Sequence, residues 1–299
     1  MHAARGGEPA RTSRALLRIL TWNLFHGRDR PPADELFTLR SRLARITEDD
    51  GTYVQVNRPL AREYAATVAA ADWSVCLLQE VPPGWAPRLA AASGSCWLRT
   101  LTSRNQLRPL TALAARLNPD LIASWEGGSN LILVREPWLP VPGSHRSLLL
   151  NPLPARALRE RRRMSFVRLR LEDSPAAEVC VANLHLSTAR AEAEREVFGA
   201  ARAALEWAGP APLVLGGDLN LLSRSSTVFS RLEHDFGLAG ATVEGAIDHL
   251  LARGLETVAR AAPWPRVRRE LELPWRGGQR RLRLSDHDPV EASFGLRIT

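Results

Sequence analysis

The sequence predicts one α/β domain in which β-sheets lie inside layers of helix. Three observations carry this reading. Eight short runs rich in Val, Leu and Ile are spread along the 299 residues, and several are apolar on both faces, as strands covered on both sides are. Three longer stretches between them carry Ala, Leu, Arg and Glu at helical spacing. No internal repeat and no long Pro/Gly/Ser linker divides the chain, so residues 17–299 read as a single domain.

Taken in order, residues 1–16 read as a flexible leader. The first apolar stretch, within "RALLRIL", is short and broken by Arg18, too weak for a secretory signal. "LRILTWNL" (17–24) is the first expected strand. Residues 28–58 look like an insertion, a lid or a substrate-facing hairpin, with no role that the residues assign. A helix is expected over 59–71, a strand in "WSVCLLQEV" (73–81), a helix over 106–117 and a strand in "NLILVR" (130–135). "MSFVRLRL" (164–171) and "EVCVANLHL" (178–186) are the next two expected strands. A helix over 188–208 opens after Ser187-Thr188, with Glu192 and Glu194 in its first turns. "PLVLGGDLN" (212–220), "IDHLL" (247–251) and "DPVEASFGL" (288–296) complete the strands.

The formal net charge is +8, and all forty basic residues are arginines. Arginine without lysine in an Ala-, Gly-, Pro- and Leu-rich chain is first a sign of coding bias. Guanidinium groups nevertheless favour anionic partners, because their planar fork matches phosphate oxygens. Cys76, Cys96 and Cys180 are odd in number, widely spaced and without a CxxC, and read as small buried hydrophobes of a reduced compartment. Nothing approaches 18 uninterrupted apolar residues, so no membrane span is expected. A cytoplasmic monomer without stable membrane association is the expectation.

Polar residues cluster where apolar runs end: Asn23, Glu80, His185, Asp218 and Asn220 in "GGDLN", Asp248, and Asp286-His287 in "LSDHDPV". Each has an ordinary reading: a strand-end cap, a solvated carboxylate, a half-buried histidine, a tight turn bonding to its own backbone. Their co-occurrence argues otherwise, since strand ends emerging at one edge are where open α/β structures place ligand sites. Carboxylates and amides offer the hard oxygen ligands that Mg²⁺ or Mn²⁺ prefers, and histidines move protons near neutral pH. The set suits metal-assisted hydrolysis of a phosphoester.

The series "TWNLFHG", "LLQEV", "NLHLS", "GGDLN", "IDHLL" and "LSDHDPV" resembles the endonuclease/exonuclease/phosphatase superfamily, the group that includes DNase I and the exonuclease III type AP endonucleases. The resemblance runs from about residue 17 to 296, and its pairing of GDxN with a C-terminal SDH is specific. It implies a four-layered α/β sandwich of two packed mixed sheets flanked by helices. It further implies Mg²⁺ or Mn²⁺ held by Glu80 and Asp286, with Asn23 ordering the metal shell. Asp218 and Asn220 resemble the pair that orients the attacking water and holds a phosphate oxygen. His287 is similar to the catalytic histidine, and Asp248 to the carboxylate that orients one of two histidines. His185 matches the second histidine of the DNase I-like branch. Asp288 is left as a turn cap before Pro289.

Arginine-rich stretches at 156–168 and 276–284 could line a groove for a polyanion, with Arg162 and Arg163 as substrate contacts, or could be ordinary solvated charge. Asn130, in "EGGSNLILVR", is a weak site candidate. A nuclease acting on DNA or RNA is the leading reading. A phosphatase or a lipid or small-molecule phosphodiesterase is the alternative, and a binding module without chemistry is disfavoured because every position in the series holds a competent residue.

Overall fold

A computed structural model describes residues 13–102, 108–151, 161–224, 227–243 and 245–298. In chain order the elements are β1 (Ser13–Asn23), α1 (Leu39–Ala44), β2 (Glu48–Asp49), β3 (Val54–Gln55), α2 (Ala61–Ala70), β4 (Val75–Gln79), α3 (Ala86–Ser93) and β5 (Cys96–Leu101). Then come α4 (Arg108–Leu117), α5 (Pro119–Glu126), β6 (Ser129–Val134), β7 (Trp138–Pro140), β8 (Arg146–Leu149), β9 (Arg163–Leu171), β10 (Ser174–His185) and α6 (Arg190–Ala208). The chain closes with β11 (Leu213–Asp218), α7 (Val228–Phe236), β12 (Asp248–Arg253), β13 (Glu256–Pro263), β14 (Glu270–Trp275), β15 (Gly278–Arg283) and β16 (Val290–Ile298).

Two mixed sheets form the centre. The first runs β13-β16-β1-β4-β6-β5, and the second runs β12-β11-β10-β9-β7 with β8 also on β9. Leu17, Ile19, Val75 and Leu77 of the first sheet pack against Val167, Val179, Val181 and Val214 of the second, which makes a dry layer between them. On the outer face of the first sheet, Leu20, Trp22 and Leu78 meet Tyr64 of α2 and Leu89 of α3. On the outer face of the second, Phe166, Leu184 and Leu215 meet Val197 and Ala201 of α6 and Leu232 of α7. The expected four-layered α/β sandwich is therefore the architecture, and burial on both faces explains why β4, β6 and β11 read as continuous apolar runs. Polar links also cross between the sheets: Gln79 Nε2 donates to Asn183 Oδ1 at 2.7 Å, Asn183 Nδ2 donates to the carbonyls of Leu78 and Leu131, and Thr100 Oγ1 donates to Ser165 Oγ at 3.0 Å.

The structure departs from the expectations in several places. Strand β1 starts at Ser13, so 13–16 of the expected leader pair with β16, and residues 1–12 lie outside the described residues. The start of the expected helix over 106–117 is likewise outside them, and α4 begins at Arg108. Cys76 and Cys180 are buried as expected, but Cys96 is exposed because it opens the edge strand β5. The segment 28–58 is a brace rather than a lid. Its backbone bonds to the β14–β15 hairpin through Arg30 N to Arg283 O at 3.0 Å and Arg281 N to Thr52 O at 2.8 Å, and Trp275 Nε1 donates to Asp49 Oδ2 at 3.1 Å. Contacts of this kind account for all four arginines at 276–283. Arg276 and Arg280 face Asp49, Arg281 faces Glu270, and Arg283 donates to the carbonyls of Arg30 and Pro31.

Candidate active site

Strand register alone brings most of the site together. In the second sheet His185 on β10 is the register partner of Asp218 on β11, and Asp218 is the partner of Asp248 on β12. In the first sheet Asn23 at the end of β1 pairs with Gln79, which puts Glu80 just past the end of the parallel neighbour β4. The loop carrying Asp286 and His287 precedes β16, the antiparallel partner of β1. It is fastened there by Ser285 Oγ donating to Asn23 O at 2.6 Å, by His287 N donating to Ser285 Oγ at 3.1 Å and by Trp22 Nε1 donating to His287 O at 3.1 Å.

"GGDLN" owes its glycines to this register and not to a turn. They belong to β11, between β10 and β12. Gly217 has φ +133°, and a Cβ there would sit 2.0 Å from Leu184 O. Only glycine lets the chain pass so close just before Asp218. Five of the seven non-glycine residues with positive φ among the described residues, Phe25, His26, Glu80, Asn220 and Ser285, lie in this site or beside it. Such backbone is held only where the surroundings over-determine it, and it concentrates at functional sites.

The side chains interlock. Asn23 Nδ2 donates to Asp218 Oδ2 at 2.9 Å. His287 Nδ1 lies 2.8 Å from Asp248 Oδ2, while its Nε2 faces Asp218 Oδ2 at 3.8 Å and Asp286 Oδ1 at 4.0 Å. His185 Nε2 lies 3.4 Å from Asp218 Oδ2 and 3.6 Å from Glu80 Oε1. Asn220 N donates to Asp218 Oδ1 at 3.1 Å, and its side-chain amide donates to Leu186 O at 3.0 Å. Ligand atoms of Asp218, Asp248 and His287 lie within 4.8 Å of one another. The Nδ1–Oδ2 contact already engages one atom of each member of the Asp248–His287 pair, so that pair reads as a proton-transfer dyad rather than as cation ligands.

These contacts set the charge states. Burial raises the Asp218 carboxyl, and despite nearby His287 the net effect takes it up to about 6. Burial also raises Glu80; Arg162 opposes this, and Asp218 and Asp286 add to it. For His287 burial pulls downward, but the carboxylates of Asp248, Asp218 and Asp286 win and hold the imidazole well above its ordinary value, which favours its protonated form. His185 goes the other way: burial, then Arg162 and His287, push it well below, so it is neutral. The two histidines of one cluster are thus shifted in opposite directions.

Of the residues the sequence nominates, Asn23, Glu80, His185, Asp218, Asp248 and His287 converge through direct contacts, and Asn220 and Asp286 adjoin them. Arg162 is buried against His185, its Nη1 2.8 Å from Nδ1. Arg163 is not brought in. Alternation along β9 turns it away, and its guanidinium reaches Ser147 Oγ on β8 at 3.4 Å. Asn130 donates to Arg163 O at 2.7 Å and supports that strand. Asp288 is not a turn cap but the counter-ion of buried Arg269, 2.5 Å from its Nη2, and Arg269 in turn donates to the carbonyls of Leu284 and Ser285. Two residues went unnoticed in the sequence. His26 Nε2 faces Glu80 Oε2 at 3.3 Å, and Arg28 is near enough to Glu80 and Asp286 to feel both charges. The histidine-glycine step directly after the first strand end was the only signal for His26. A cleft of about 530 Å³ opens beside Asp248, Asp286 and His287.

The model of the endonuclease/exonuclease/phosphatase family matches residues 20–287, a span that contains every residue of this cluster. The chain belongs to that family. Solved structures of other family proteins share its fold. An endonuclease/exonuclease/phosphatase family protein from Bacteroides thetaiotaomicron superposes with a TM-score of 0.64 at 13% identity, covering 96% of this chain and 100% of that one. A mannosyl-6-phosphatase of the same organism gives 0.61 at 14% identity, covering 93% and 99%. Truncated TDP2 of Caenorhabditis elegans gives 0.53 at 15% identity, covering 93% and 97%. At these identities the likeness shows the shared fold of the family. Among curated proteins no sequence match reaches significance.

Proposed function

We propose that this family member is a divalent-metal-dependent phosphodiesterase whose leading substrate class is nucleic acid. The observation that carries the reading is the convergence of two histidines on Asp218, His287 held by Asp248 and His185 also facing Glu80. The donor set fits Mg²⁺ or Mn²⁺. Glu80 and Asp286 supply hard oxygens with Asn23 alongside, and the burial and the neighbouring carboxylates that raise Glu80 are what a dication would offset. When bound, the ion would neutralise the phosphoryl oxygens and lower the pKa of a nearby water.

The chain's own groups supply the rest. Asp218, raised toward neutrality and oriented by Asn23 and by the Asn220 backbone, is placed to take a proton from water. His287 Nε2, with Nδ1 committed to Asp248, points its proton into the site, where it can serve a phosphoryl or leaving-group oxygen. Arg162 adds a fixed positive charge beside His185. Nucleic acid is favoured by the +8 net charge together with Arg162 and Arg28 at the site. A compact phosphoester is the second reading, favoured because the arginines at 276–283 are engaged by Asp49, Glu270 and backbone carbonyls.

Purified protein should be assayed with Mg²⁺ and with Mn²⁺ against plasmid DNA, single-stranded RNA, bis(p-nitrophenyl) phosphate, p-nitrophenyl phosphate and lipid headgroup substrates. Chelator is expected to abolish hydrolysis and either ion to restore it. Full turnover in excess chelator overturns the metal assignment, and hydrolysis of the monoester alone replaces the diesterase reading by a phosphatase.

A further inference from the structure

On the Glu80 side the site borders another cleft, of about 540 Å³, that the catalytic groups do not fill. His26, whose Nε2 faces Glu80, is in its lining. Its walls include half-exposed Trp85 and the rigid rings of Pro59 and Pro82. Trp85 is seated by Tyr64, 5.9 Å between ring centroids, and by Gly27, where any Cβ would strike the indole. Arg88 of α3 and Arg116 of α4 also line it, both exposed, and neither pairs with a carboxylate among the described residues. The cleft beside His287 has the opposite character, with Asp248, Asp286 and Asp288 in its lining. A phosphodiester held at these carboxylates would have two arms, and one cleft adjoins the cluster at Glu80 through His26 while the other adjoins it at Asp248 and His287. Charge decides between them, since acidic walls repel an anionic arm and unengaged guanidinium groups attract it. Prolines offer no N–H, so the apolar walls recognise shape and a stacking face rather than hydrogen-bonding groups. A volume of this size suits a single small-molecule arm.

We propose that the cleft between α3 and α4 is a recognition subsite for one arm of a phosphodiester, an arm that carries both a planar ring and a further anionic group. The proposal rests on the phosphoester-hydrolase reading of the neighbouring cluster. Two probes separate the features: thymidine 5′-(p-nitrophenyl phosphate), and the same compound carrying a 3′-phosphate. The native protein is expected to prefer the 3′-phosphorylated probe in kcat/KM by about tenfold, mainly through KM, as charge-assisted contacts to exposed arginines allow. In Arg88→Ala/Arg116→Ala the preference should fall to near one, while Arg45→Ala, an exposed arginine outside the cleft, should retain it. Binding of thymidine 3′,5′-bisphosphate in chelator, followed by calorimetry, should weaken about tenfold in the double variant. If no probe is hydrolysed, the hydrolase reading fails, and arginine-dependent binding of the bisphosphate still upholds the subsite. A preference or a bisphosphate affinity that survives the double substitution overturns it.

Discussion

At the scale of single residues the site is governed by which carboxylate each imidazole faces. Asp248 gives His287 its orientation and much of its raised proton affinity. Asp248→Asn is therefore expected to lower turnover by roughly 10²–10⁴. It should also move the alkaline limb of the rate profile to lower pH, because losing that carboxylate lowers the proton affinity of His287. An NMR titration of His287 in folded protein checks this, and an unmoved titration curve would show that the dyad does not set its charge. Asp218 gives a second, independent prediction. Its folded value is raised to about 6, so it keeps its proton below that pH and carries charge above it. A cation drawn to the Glu80–Asp218–Asp286 cluster competes with that proton. The gain in melting temperature on adding Mg²⁺ should thus be larger at pH 8 than at pH 5. Equal gains at both values would place the ion elsewhere.

At the scale of elements, the second sheet depends on a strand with no side chain at its tightest point. Gly217 sits against β10 with a Cβ position 2.0 Å from Leu184 O, and its φ of +133° is closed to other residues. Gly217→Ala must push β10 and β11 apart where they carry His185 and Asp218. We expect it to cost at least about 3 kcal/mol, measured by urea denaturation, and to lower activity in whatever fraction stays folded. Gly209→Ala makes a useful comparison: it also has a positive φ, but no atom lies within 4 Å of its Cβ position, so it should cost less. Equal costs would mean that conformation, not the approach of the strands, sets the need for glycine. The insertion 28–58 works at the same scale: Arg28 at its start lies near Glu80 and Asp286, and the rest of the segment bonds to the β14–β15 hairpin.

For the whole molecule the question is what a net charge of +8 does. Of the two arginine-rich stretches, 276–283 is engaged with Asp49, Glu270 and backbone carbonyls, and part of the other lies outside the described residues. Arg162 is the member of that second stretch that is packed into the site. Each phosphate neutralised on duplex DNA contributes about −0.9 to the log–log salt slope. Binding of a duplex oligonucleotide in Ca²⁺, followed by fluorescence anisotropy, is therefore expected to show a shallow slope worth only a few phosphates. A steep slope that flattens when Arg276, Arg280 and Arg281 are reversed would show that those arginines trade their internal partners for DNA. No helix among the described residues is long and apolar enough to cross a membrane.

The sequence by itself determined eight strands of the two central sheets and nearly the whole cast of the site. A strand buried on both faces must be written almost wholly in apolar residues, so a polar residue at its end is conspicuous; Asn23, Glu80, His185, Asp218 and Asp248 were all legible in this way. Edge and appended strands left no such trace. β13 and β5 border solvent and β14–β15 stands apart from both central sheets, so their residues are mixed and their pattern is weak. Pairing was decided only in three dimensions. Nothing in the spacing says that Asp248 faces His287 while Arg162 faces His185, because strand register and the β16 loop make those choices across long separations in the chain. The same holds for Asp288, whose partner Arg269 comes from the turn before β14, and for His26, whose meaning depends on Glu80 arriving from the neighbouring strand. Residue types carry chemistry locally, but a charge state belongs to a neighbourhood, and only the packed sheets create it.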